Sequence, residues 1–144
     1  MNKLHLGGQL FLIGIVGCGS VVTGEVLSTV RVAGTVTLNG KALEHYKVTF
    51  FPEGSRPASG VSDASGKFVL GTNKVGDGAV VGRHKVSVVY VGPPNTNPEA
   101  GMNDFSAPPP PKMKIPAKYN DPSKSGIVIE IASGGITDAT VELK

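Results

Sequence analysis

The chain has 144 residues, 14 Lys and Arg against 11 Asp and Glu, 6% aromatics, no Trp, one Cys, 20 Gly and 11 Pro. That length holds one domain with one core; a formal charge of +3 without a clustered basic face excludes a nucleic-acid partner, and one thiol excludes an internal disulfide or a cysteine cluster. Few aromatics with abundant glycine and proline favour short strands and many turns over packed helices, so an all-β domain is expected.

In chain order, residues 1–17 open on a short polar start carrying Lys3 and run into LFLIGIVG, the layout of a secretion signal. A helix needs roughly 20 apolar residues to span a bilayer, and this run is well short of that. It closes on Ile15-Val16-Gly17-Cys18, which resembles the lipobox of bacterial lipoproteins, with Ile in the place more often held by Leu. The resemblance implies cleavage between Gly17 and Cys18, S-acylation of Cys18 and acylation of the new N-terminus. Each buried methylene contributes about 0.8 kcal/mol, so one acyl chain binds reversibly and two or more anchor stably. Residues 18–29 then read as a lipidated tether that reaches at most about 40 Å and keeps the folded part near a membrane face. Gly19 after the cysteine, rather than Asp, points by analogy with that family to an exported protein of the bacterial envelope, at the outer membrane or the periplasmic face.

Residues 30–144 are expected to form the folded domain. Val30, Val32, Val36 and Leu38 alternate with polar or small residues as a half-buried strand does, and Asn39-Gly40 suits a tight type I′ turn. The link at 41–45 reads either as a second strand or as a looser connection. Tyr46, Val48 and Phe50 share one face of the next strand, which Pro52 closes. GVSDASGKFVL reads as strand, turn, strand, with Phe68 and Leu70 on one face and Gly66 left-handed. GDGAVVG is loop, and residues 83–91 form the longest β run. Residues 92–125 hold most of the prolines, including Pro108, Pro109, Pro110 and Pro111, and read as a long surface loop of polyproline II character without helix or central strand. Ile127, Ile129 and Ile131, then Ala139, Val141 and Leu143, mark two final strands. Seven short strands imply an antiparallel, Ig-like β-sandwich.

The segments GTVTLNGKAL, VTFFPEG, SGVSDASGKFVL, GAVVGRHKVSV and IPAKYNDPSKSG, in that order, resemble bacterial envelope proteins with a carboxypeptidase-regulatory-like, transthyretin-like domain. The resemblance covers residues 30–144 and implies a prealbumin-like sandwich of seven strands; it implies no reaction.

Chemistry-bearing residues are sparse. His84 falls on the inward alternation with Val86 and Val88, and His45 precedes a strand start. No spacing of His, Cys or carboxylates supports a metal site, and no cofactor is expected. Hydroxyisourate hydrolases share the transthyretin fold but end in Tyr-Arg-Gly-Ser, whereas this chain ends in Val141-Glu142-Leu143-Lys144; a transthyretin-related hydrolase would need His84, Arg83 and a carboxylate in one pocket. Asp63 and Asp77 read as turn residues rather than calcium ligands. The run Pro108–Pro111 with Lys112 and Lys114 is the candidate interaction loop, a preordered polyproline ligand or a basic spacer. Phe51, opposite Phe50 in the alternation, is expected to be covered by that loop through Ile115 and Tyr119. The expectation is a lipid-anchored, non-enzymatic module with a structural or protein-interaction role, and a glycan-binding module as the alternative.

Overall fold

The computed structural model describes residues 26–94 and 107–144; the signal-like segment, Gly17, Cys18 and residues 95–106 lie outside the described residues. Almost all regular structure is strand: β1 Val32–Leu38, β2 Lys41–Ala42, β3 Tyr46–Pro52, β4 Ala58–Val61, β5 Lys67–Val69, β6 Gly82–Tyr90, β7 Val128–Ile131 and β8 Ile136–Leu143. One sheet has the order β4-β3-β6-β7, antiparallel throughout. The other is built on β1, which pairs with β2, β5 and β8.

The period-two pattern explains which faces meet. Val32, Val36, Phe68, Val141 and Leu143 from the β1 sheet join Tyr46, Val48, Phe50, Val86, Val88 and Ile131 from the β3 sheet in one buried cluster. The Phe50 and Phe68 rings meet across the two sheets at 6.2 Å and 58°, a tilted geometry that contributes about 0.5–1.5 kcal/mol beyond the area it buries. The Asn39-Gly40 turn is as read: both residues have positive φ, 51° and 81°, as a type I′ turn requires.

Three expectations change. The strands number eight among the described residues, because the link after Asn39-Gly40 includes the two-residue β2, paired at Thr37↔Ala42 and Leu38↔Lys41. The β1–β8 pair is parallel: β8 arrives from β7 of the other sheet through the residue 132–135 turn, and a sheet-to-sheet crossover does not impose the antiparallel direction that a hairpin does. The proline-rich region also contains a 3₁₀ turn, Ala117–Asn120, which starts after Pro116 in a stretch without prolines. It buries Tyr119, whose hydroxyl donates to Lys144 O at 3.1 Å and accepts from Lys144 N at 3.0 Å.

The parallel pair brings β1 and β8 so close at one point that only glycine fits. A Cβ on Gly34 would lie 2.2 Å from Ala139 O. Gly34→Val is therefore expected to lose about 1–3 kcal/mol of stability, read as a lower urea midpoint with an unchanged m-value; a midpoint like that of the wild type would show that β8 is free to shift.

Candidate functional site

The proline run is seated on a pair of tyrosines. Tyr46 and Tyr90 are register partners on β3 and β6, at the end of the sheet where the chain enters β3 and leaves β6, with ring centroids 5.2 Å apart and tilted by 59°. Both phenols donate to main-chain carbonyls of the returning loop: Tyr90 Oη to Pro109 O at 2.7 Å and Tyr46 Oη to Met113 O. Pro108 packs where Gly92 has no side chain, since a Cβ there would come within 2.4 Å of Pro108 Cβ. Tyr46 is held in place by its amide, which donates to Ser62 Oγ at 3.0 Å. Burial, reinforced by the neighbouring Tyr90, pushes the Tyr46 phenol above its ordinary 10.0.

A charged contact closes one end of this arrangement. Lys112 Nζ donates to Glu44 Oε2 at 2.8 Å, and His45 Nε2 lies 3.2 Å from Glu44 Oε1. The Lys112 hydrogen bond holds the Glu44 carboxyl below its usual value and raises Lys112 in turn. His45 has a positive φ of 63°, a left-handed conformation that turns the chain out of β2 and aims Tyr46 into β3. Between the strands and the loop remains an open groove of about 400 Å³, bordered by Leu43, Glu44, Tyr46, Tyr90, Pro110 and Lys112. Pro108, Pro109 and Pro110 are exposed, Pro111 is half-buried and Lys114 is exposed.

The other sequence candidates fall elsewhere. His84 is wholly buried, its Nε2 2.8 Å from Val80 O, its ring 5.9 Å from Phe50 and its Nδ1 without a partner among the described residues. Arg83 is exposed on the opposite face of β6 and borders shallow surface hollows with Glu53, so the structure does not gather His84, Arg83 and a carboxylate in one pocket. Asp63 accepts from the Ser65 and Lys67 amides at 2.8 and 3.0 Å. Asp77 accepts from those of Thr72, Asn73 and Lys74; partial burial raises its pKa, and the amide bonds outweigh this and lower it. Among the described residues no three His, Cys, Asp or Glu side chains group as a metal site, and no helix is long and apolar enough to cross a membrane. Phe51 is not where the loop was expected to cover it: it lines a surface hollow with Glu53, Arg83, Lys85 and Val128, while Ile115 and Tyr119 pack against the core.

Sequence reasoning did not foresee two features. Alternation placed Tyr46 and Tyr90 on inward faces, but nothing local signals that their hydroxyls meet a segment far along the chain. Nor does it signal the clamp on the entering chain, where the Asn73 side chain takes both main-chain groups of Leu27: Leu27 N donates to Oδ1 at 3.1 Å and Nδ2 donates to Leu27 O at 2.9 Å. Asn73 belongs to the loop that Asp77 braces. Comparison with known proteins adds no relative: no family model matches the chain, and neither a curated protein nor a solved structure matches it.

Two measurements follow from this geometry. In an ultraviolet pH titration one phenol should ionise above 10.0 and one below it. The high step is Tyr46, absent in Tyr46→Phe; the low step is Tyr119, whose hydroxyl accepts the Lys144 amide bond with Lys118 close by, and it is absent in Tyr119→Phe. Because folding raises the Tyr46 value, the stability its protonated form contributes is complete below pH 10 and is lost as pH rises through the raised value, so alkaline unfolding should soften in Tyr46→Phe. Asn73→Ala should cost about 1–2 kcal/mol and speed hydrogen exchange at the Leu27 amide; unchanged exchange there would show that the clamp is not closed in solution.

Proposed function

We propose that the chain is an exported, non-enzymatic envelope lipoprotein, in which a transthyretin-like, carboxypeptidase-regulatory-like sandwich is held at a membrane face by acylated Cys18 and works as a structural or protein-interaction module. The observation that carries the reading is Ile15-Val16-Gly17-Cys18 at the end of an apolar run too short to span. The fold lends support in three ways. Two sheets share one core, in keeping with a sandwich domain on a tether. The clamp at Leu27 lies nine positions after Cys18, so the eight residues between them can reach at most roughly 28 Å. His84 is sealed in the core, and the tyrosine hydroxyls are engaged by main-chain carbonyls of the 107–114 segment, which supports an interaction role.

The anchor is tested in a bacterial host with radiolabelled palmitate. The wild type should be labelled and sediment with membranes, and Cys18→Ser should be unlabelled and soluble. Equal labelling of the two, or none in the wild type, removes the anchor from this account.

A further inference from the structure

We infer that the groove over Tyr46 and Tyr90 is a polyproline II reading site, that residues 107–114 fill it in cis, and that a proline-rich segment of another protein, with a Lys or Arg after its prolines, takes their place. A polyproline II strand has no internal hydrogen bonds and leaves its carbonyls free, so it is read by aromatic side chains that carry donors, with an acid at one end to fix direction through a basic residue. Each element is present. The rings of Tyr46 and Tyr90 lie 5.2 Å apart, their hydroxyls donate to Pro109 O and Met113 O, and Glu44 takes the Lys112 ammonium at 2.8 Å. The chain's own segment thus displays the chemistry that the groove accepts.

The same observations make the segment displaceable. Pro108, Pro109 and Pro110 are exposed, so the proline run rests on the tyrosines by one edge, and of its neighbours in 107–114 only Met113 packs against the core. Its charged contact is solvent-facing, with the Lys112 side chain 86% exposed. Beside the run the groove remains open, with about 400 Å³ between Leu43, Glu44, the tyrosines and Pro110. A segment tethered to its own site competes at an effective concentration on the order of millimolar. A free peptide therefore meets a well-filled groove in the wild type, and a tethered segment that has lost its preset polyproline geometry and competes less well when the prolines are gone.

This inference rests on the interaction-module reading but not on the lipid anchor: failure of peptide binding leaves palmitate labelling of Cys18 untouched, and failure of labelling leaves peptide binding untouched. The probe is the synthetic peptide Ala-Pro-Pro-Pro-Pro-Lys-Met-Lys, with tyrosine fluorescence and amide chemical shifts of the protein as readouts. The protein is the full chain and a variant carrying Pro108→Gly, Pro109→Ser, Pro110→Gly and Pro111→Ser. The variant should bind the peptide at least about tenfold tighter than the wild type does, with shifts at Tyr46 and Tyr90, and a peptide carrying Glu for its first Lys should bind at least about tenfold weaker. Glu44→Lys in an otherwise unaltered chain should reverse that charge preference, which keeps the test open should the fourfold variant fail to fold. The proposal is overturned by a native-like variant that ignores the peptide at millimolar concentration, by equal affinity of wild type and variant, by equal binding of a Gly-Ser peptide, or by light scattering that shows a dimer with the segment exchanged between copies.

Discussion

The sheet built on β1 depends on that strand keeping β8 along the whole of one edge. That pairing runs in parallel from Val32↔Ile136 to Leu38↔Leu143, so β2 and β5 are left to divide the other edge, at residues 37–38 and 33–35. β5 is short as a result. Its central residue, Phe68, is directed at Phe50 of the facing sheet, and this ring contact lies among the wholly buried valines of β1, β3 and β6. Gly34 permits the arrangement, because any side chain there would meet the Ala139 carbonyl. The chain leaves this sheet through His45, whose left-handed backbone turns it into β3, and Tyr46 is thereby set at the sheet's end beside Tyr90.

The relative strength of the contacts sets one part of this protein apart from the rest. Truncating a buried phenylalanine such as Phe50 costs about 3–5 kcal/mol. A single phenol-to-carbonyl bond contributes about 0.5–1.5 kcal/mol net, and among the described residues the segment over the tyrosines is held by two of these, an exposed ion pair, Pro108 against Gly92 and the partly buried Met113. With few buried apolar contacts, such a segment is expected to open locally below the cost of global unfolding. Further along, the same loop is fastened more firmly: Tyr119 is buried and shares two hydrogen bonds with Lys144, and Ser125 Oγ donates to Val86 O at 2.6 Å. Among the described residues, the weakly held 107–114 segment thus leads into a pinned 3₁₀ turn.

The local content of the chain was legible in advance because it obeys short-range rules. Alternation at Tyr46, Val48 and Phe50, and at His84, Val86 and Val88, assigned the inner face correctly, since side chains on a strand alternate whatever the neighbours are. Asn39-Gly40 and the Asp63 turn were read from residues that carry their own geometry and hydrogen bonds. The candidate site was legible only in half: Pro108–Pro111, Lys112 and Lys114 were singled out, but Glu44, Tyr46 and Tyr90 were not joined to them.

By itself the sequence determined an all-β chain, its strands and turns, and the apolar run ending at the single cysteine, because each is set by residues within a few positions of one another. Only the tertiary structure decided that β8 runs parallel to β1, that Phe51 stays half-buried in a surface hollow while Tyr119 goes in, that Asn73 grips Leu27, and that the proline run settles on two tyrosines. Those outcomes join residues from 19 to more than 100 positions apart. They depend on which pairing satisfies the most backbone groups and buries the most apolar surface at once, and no local pattern encodes that choice.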